Sequence, residues 1–427
     1  MGLGLRSLSK RERSWVLYDV GNSAYVMLAA TLIPIYFSAI AEPGSSAVVA
    51  WGYATTVASL ALALLMPFLG SLADLKGNKK KFLAGTIGTG AVSLAVMGVP
   101  GNAMVFLAIY VFSSVMLNAS LVFYDAFLVD ATEQDRYDEV SSQGYAWGYI
   151  GSCVPFVISL LLVLGGDKVG ISTPAAMTAA FFLNAAWWGL VTIPLLKNYE
   201  QKYYVENQGS MVKESFARLG RSVAELKDNK KVALFLLAFF FYVDGVYTII
   251  EMATSYGKDV GISDANLLLA LLLTQVVAFP CAILFGKMTQ TFETGKLISA
   301  CIIAYFVVAV YALQLDAAWK FWMMATFVGV FQGAIQALSR SYYAKIIPKE
   351  KSSEYFGIFD IFGKGASFMG TMLMGISTQI FDTSKAGVVV IAAMFVVGFV
   401  FFQVQRRTEE DQNGLLSFYR RFTKGDI

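Results

Sequence analysis

Residues 48–100 read VVAWGYATTVASLALALLMPFLGSLADLKGNKKKFLAGTIGTGAVSLAVMGVP. Two apolar runs, 48–73 and 81–100, enclose a short hydrophilic connection that gathers Asp74, Lys76, Lys79 and Lys80. A helix needs about 20 predominantly apolar residues to cross a bilayer core, and each run is of that length. The strands of a membrane barrel alternate apolar and polar residues over about 10 positions; neither run alternates. The pair therefore predicts two membrane-crossing helices joined by a tight polar turn. Composition carries the reading to the rest of the chain: 57% of its 427 residues are hydrophobic and 15% charged, where soluble domains carry about 25% charged residues.

The same pattern predicts twelve spans: 14–41, 48–73, 81–100, 103–127, 140–165, 173–196, 231–256, 264–287, 296–315, 319–342, 354–381 and 385–404. With alternate loops assigned to alternate sides, 28 of the 33 lysines and arginines fall on one side. The positive-inside rule makes that side cytoplasmic and puts both termini there, in a multi-pass protein of the cell membrane. The opening basic residues Arg6, Lys10, Arg11 and Arg13 resemble a signal peptide, but the run behind them is too long and contains Asp19 and Pro34; it reads as an uncleaved first span. The longest hydrophilic stretch, 197–230, divides the chain into a first six-helix bundle, 1–196, and a second, 231–405, with a tail at 406–427. Within that linker Phe216, Leu219, Val223 and Leu226 recur at helical spacing among charges, which predicts an amphipathic helix at the cytoplasmic surface.

The halves echo one another. Tyr18-Asp19-Val-Gly21 in span 1 is answered by Tyr242-Val-Asp244-Gly245 in span 7, and Gly70-Ser-Leu-Ala-Asp74-Leu-Lys-Gly77 by Gly286-Lys-Met-Thr-Gln290. The segment Gly70 to Lys80 resembles the signature loop of the major facilitator superfamily. Trp15-Val-Leu-Tyr18-Asp19-Val-Gly21-Asn22-Ser23-Ala24, Tyr124-Asp-Ala-Phe-Leu, Ser141-Ser-Gln-Gly144-Tyr-Ala-Trp-Gly148-Tyr-Ile-Gly151, Gln332-Gly-Ala-Ile-Gln336-Ala-Leu-Ser-Arg340 and Glu354-Tyr-Phe-Gly357 resemble its vacuole-effluxer branch and the bacterial relatives of that branch. The resemblance implies an all-α integral membrane fold of twelve transmembrane helices in two pseudo-symmetric six-helix bundles. It also implies export of amino acids, as in the fungal members. Asp74 is expected to latch onto the positive N-terminal end of another helix, span 11, while the lysines meet lipid phosphate or carboxylates, for which Asp130, Glu133 and Asp135 are candidates. Gln290 stands where the second half's copy of the signature would have an acid, so the latch is expected on one side only.

A charged side chain at mid-span costs at least about 2.5–3.5 kcal/mol on insertion scales, so each is a candidate site residue. Asp244, Tyr247 and Glu251 share one face of span 7 and form the first candidate solute or proton site. Asn22 and Tyr25 in span 1, Asn118 and Asp125 in span 4, and Gln332 and Gln336 in span 10 are further candidates for solute or proton binding. Each has a bland alternative as interhelical hydrogen-bonding glue. Asp19, Asp74, Arg340 and the i, i+4 pair Asp360 and Lys364 are read as gate or ion-pair residues. Gly144, Gly148 and Gly151, with Gly329 and Gly333, are read as close-packing positions.

There is no histidine, so a proton relay must use carboxylates. The isolated Cys153, Cys281 and Cys301 read as small apolar residues and no metal site is expected. No phosphate-binding loop of an ATP-driven pump occurs, and neither an enzyme nor a cofactor is expected. The reading is a secondary transporter of a small polar solute, coupled to protons and exporting amino acids. It is expected to be monomeric and surrounded by lipid, with no nucleic-acid partner. A non-transporting receptor or sensor on the same fold, or a carrier of lipids or amphiphiles, are the alternatives.

Overall fold

In lipid a backbone must satisfy its own hydrogen bonds, and helices do so within each segment. The computed structural model describes residues 5–41, 47–206, 211–259 and 261–424, without the side chains of some helical residues, 364–368 among them. Among the described residues the chain is helical apart from turns and one parallel bridge between Leu75 and Val205. The helices are α1 (Lys10–Ala30), α2 (Leu32–Ile40), α3 (Ala47–Ala73), α4 (Lys79–Val96), α5 (Ala103–Ala126), α6 (Leu128–Ala131), α7 (Tyr137–Gly165), α8 (Thr173–Asn198), α9 (Met211–Asp228), α10 (Lys230–Asp259), α11 (Asp264–Met288), α12 (Thr294–Ala312), α13 (Ala318–Ile346), α14 (Ser352–Phe381) and α15 (Ser384–Lys424).

Ten helices among the described residues are long and apolar enough to cross a membrane. Outside the ten stand α4, which opens on Lys79, Lys80 and Lys81, and α14, whose side chains at 364–368 are not described. The first predicted span is two helices. Pro34 has no N–H and its ring crowds the carbonyl four residues earlier, at Ala30; the chain breaks at Thr31, with φ −132° and ψ −80°. At the other end α15 continues to Lys424, so the predicted tail is helical over 406–424. The linker carries the predicted helix as α9; the side chains of Phe216 and Val223 lie outside the described residues.

Helix α1 packs on α7 and α8, α4 on α5 and α8, and α3 on α5; further on, α10 packs on α14 and α15, α11 on α13, and α12 on α13 and α15. Contacts between the parts before and after the linker run through α3 and α5 on α14, and through α7 on α11 and α13. The predicted small-residue positions sit at such crossings. A Cβ on Gly144 would lie 2.5 Å from Asp19 Oδ2, and one on Gly151 2.5 Å from Val20, so α1 and α7 approach through glycine. A Cβ on Gly70 would stand 2.3 Å from the Ser353 carbonyl oxygen, and one on Gly286 2.6 Å from the Ser142 side chain. The end of α3 against the start of α14 is thus echoed by the end of α11 against the start of α7.

Candidate functional site at the contact between the halves

The turn after α3 returns through Gly77, whose φ of +76° suits a residue without a Cβ. It places Asp74 against the start of α14. Asp74 accepts hydrogen bonds from the backbone N–H groups of Ser353 and Glu354, each at 2.9 Å. A helix N-terminus offers unsatisfied N–H groups and partial positive charge, so a carboxylate there is favoured. Lys79, also fully buried, lies 3.6 Å from Asp74 and 3.2 Å from Asp130, and donates to Ser352 Oγ at 2.7 Å. Burial pushes the Asp74 carboxyl up to about 6 against the pull of Lys79 and the two amides. Asp130 also accepts from the Tyr199 hydroxyl at 2.7 Å and from the N–H groups of Lys202 and Tyr203. The start of the linker is thereby strapped to the turn, and Val205 pairs with Leu75 beside it.

The echo of this latch uses a residue that sequence reading passed over. Asp138, in the first turn of α7, accepts from Ser341 Oγ and Thr294 Oγ1, each at 2.6 Å, and is paired with Lys345. The acid missing at Gln290 is thus matched by an acid from the opposite half. No motif marked Asp138; its signal was only an acidic residue in the first turn of a span.

Deeper between the halves lies Arg340 of α13, 2% exposed. Its Nη1 donates to Asp125 Oδ1 of α5 at 2.9 Å, and Asp19 Oδ2 of α1 lies 3.4 Å from Nη2. Its Nε donates to Ser141 Oγ at 2.9 Å and its Nη2 to the Ser141 carbonyl at 3.0 Å. The guanidinium carbon stands 4.6 Å from the Trp15 ring centroid, 5.3 Å from that of Tyr124 and 4.4 Å from that of Tyr145. Arginine over aromatic faces gains cation–π attraction. Removing one partner of a buried ion pair costs about 3–5 kcal/mol, so this contact weighs on how the two halves sit. Two carboxylates face one guanidinium, and Asp360 of α14 lies within electrostatic range of Asp125.

The structure brings together some of the predicted residues and separates others. Asn22 is buried and donates to Asp19 Oδ1 at 3.2 Å, within the cluster. Tyr25 turns away: it is buried against Trp188 of α8, inside the first half. Asn118 donates to the Ser114 carbonyl one turn back on its own helix at 2.8 Å. Gln336 accepts from the Tyr149 hydroxyl of α7 at 3.3 Å, while Gln332 lines a cleft of about 460 Å³ with Thr274 and Gln275, all residues of the second half. Asp244 meets α14 rather than the first half: Oδ1 accepts from Gly370 N–H at 3.0 Å and from Thr248 Oγ1 at 3.3 Å. Its Oδ2 is buried without a partner among the described residues. This seam closes because Gly370 has no side chain; a Cβ there would stand 2.3 Å from Asp244 Oδ1. On the next turn Tyr247 falls within electrostatic range of Asp360, Asp125 and Arg340, whereas Glu251 is exposed. The predicted partner of Asp360, the Lys364 side chain, lies outside the described residues. Trp15, Tyr124, Ser141 and Tyr145 stand in the family-like motifs but were not read as site residues. Trp15 is four residues before Asp19 and Tyr124 is next to Asp125, so helical spacing around the acids was the signal available.

The family described as vacuole effluxer Atg22 like matches residues 129–412. "Uncharacterized MFS-type transporter YxiO" of Bacillus subtilis is 42% identical over 405 residues, covering 93% of this chain and 95% of that protein. "Autophagy-related protein 22-1" of Aspergillus niger is 24% identical over 283 residues, 61% of this chain and 45% of that protein; the chain thus spans about half the length of that fungal relative. Among solved structures, the major facilitator transporter FucP in its outward conformation aligns with a TM-score of 0.68 at 14% identity, over 92% of this chain and 97% of that one. A bacterial homologue of the iron transporter ferroportin, in an outward-facing state, aligns at 0.68 and 12% identity, over 93% and 98%. These two likenesses concern the fold.

Proposed function

Because this chain belongs to the vacuole effluxer Atg22-like family of major facilitator transporters, we propose that it is a secondary transporter that moves small polar metabolites by alternating access, exporting amino acids in exchange for protons. In this reading α4 and α14 are the two further spans beyond the ten, giving twelve. Residues 1–196 and 231–405 rock as two bundles about the linker 197–230, with both termini in the cytoplasm. Such transporters bind solute near mid-membrane between their repeats.

One observation carries the proposal: the fully engaged contact of Arg340 with Asp19 and Asp125 across the halves. It lies on the same side as the Asp74 and Asp138 latches, so the structure fits a state closed at the end bearing the termini. Opening that end must part Arg340 from the two acids. They are then left in a site that water can enter, and a proton or a solute ammonium group can replace the lost positive charge. That exchange is the coupling step. Asn22, Tyr247 and Gln336 supply polar groups beside it, Asp244 and Gln332 act from within the second half, and Tyr25 and Asn118 support α1 and α5.

Purified protein in liposomes, given an amino-acid mixture and an imposed proton gradient, tests this. Flux should follow the gradient and fall at least tenfold with Asp125→Asn. Flux indifferent to the gradient removes the coupling. Saturable binding without flux points to a receptor instead.

A further inference from the structure

Among the described residues, every ion-pair, hydrogen-bond and ring partner of the Arg340 guanidinium belongs to the first half: Asp19 and Asp125, the hydroxyl and carbonyl of Ser141, and the rings of Trp15, Tyr124 and Tyr145. Several of these groups are also fastened to one another without it. The Trp15 indole N–H donates to the Tyr124 carbonyl at 3.0 Å, and the two rings stack at 4.3 Å. The Tyr124 hydroxyl donates to Asp19 Oδ2 at 2.7 Å and Asn22 donates to Asp19 Oδ1. The first half therefore carries a receptor shaped to a planar cation: acids for its N–H edge, a carbonyl for a further N–H, aromatic faces for its plane. Guanidinium meets all three demands; an ammonium is a strongly hydrated point charge that matches neither the fork nor the stacking as well.

In the closed state the second half fills this receptor with its own arginine. When the halves part, Arg340 leaves on α13 and two carboxylates face the opening without their cation. Resting on the alternating-access reading above, the geometry points to a solute that bears a guanidinium group, a basic amino acid of arginine's chemistry or its decarboxylated amine. Arg340 is then a tethered stand-in for the solute, which holds the empty site shut and is replaced by the solute in the open state.

Proteoliposomes loaded with unlabelled solute and assayed for counterflow of labelled arginine, lysine, leucine and glutamate separate the possibilities. Arginine should exchange at least tenfold faster than leucine or glutamate, and faster than lysine. Guanidinium chloride alone, at millimolar concentration, should compete with arginine where tetramethylammonium chloride does not; this arm uses the unaltered protein. Asp125→Asn should reduce arginine counterflow at least tenfold. Leucine exchange without arginine exchange overturns the guanidinium assignment and leaves alternating access standing. Arginine exchange that neither guanidinium nor Asp125→Asn affects overturns this receptor as its site. Failure of all four solutes to exchange removes the assignment and the transport reading together.

Discussion

Arg340 shows what one side chain can do between two bodies. Among the described residues its ion pairs, with Asp19 and Asp125, are both with the part of the chain before the linker, so the contact ties the two parts together. Arg340→Lys keeps the charge but loses the planar fork that lies over the Trp15 and Tyr145 rings. We expect it to lower transport at least tenfold, about 1.4 kcal/mol, while detergent size-exclusion profiles stay unchanged; wild-type flux would refute the role. The individual acids and the arginine were legible in the sequence because a charge inside an apolar run is costly. Their pairing was not, since Asp125 and Asp19 lie 215 and 321 positions from Arg340. Helical spacing told which residues share a face but not which neighbour that face meets. That is why Tyr25 was grouped with Asn22 yet packs on Trp188, and why Asp244 meets Gly370.

Helix ends are where the elements commit to one another. Asp74 caps the start of α14 with two charge-assisted bonds, of a kind worth about 1.5–3 kcal/mol. Asp74→Ala should therefore shift the balance away from the closed end by roughly tenfold or more, read as faster labelling of a cysteine placed at Ser353. Gly70→Ala acts on the same contact sterically. Its methyl would meet a backbone oxygen at 2.3 Å, and overpacking of this kind costs about 1–3 kcal/mol; labelling should again rise. Acidity adds a third handle. Burial in the closed arrangement raises Asp74 to about 6 from an ordinary 3.8, so closing takes up a proton between those values. Lowering the pH from 7 to 5 should favour the closed end, raising it should weaken that preference, and Asp74→Asn should remove this contribution. The latch was readable in advance because a short turn between spans fixes where its acid can reach. The reciprocal Asp138 contact was not, because its partners Thr294, Ser341 and Lys345 come from two other helices.

At the scale of the molecule, apolar run length was enough to make the chain helical, with ten helices among the described residues long and apolar enough to cross a membrane. Which helices meet across the centre depended on where glycines let backbones approach, and Gly70, Gly286 and Gly370 each act through a neighbour far along the chain. The central claim is that the polar contacts of Asp74, Asp138 and Arg340 hold one end shut and must break together. The most direct test is the distance between spin labels on Lys80→Cys and Lys296→Cys, two exposed positions at that end in opposite halves, with Cys153, Cys281 and Cys301 replaced. In liposomes the account expects a short-distance population in the parent protein and growth of a longer-distance population with Arg340→Gln, larger still when Gly70→Ala is added. A single distance, unmoved by either substitution, would contradict it.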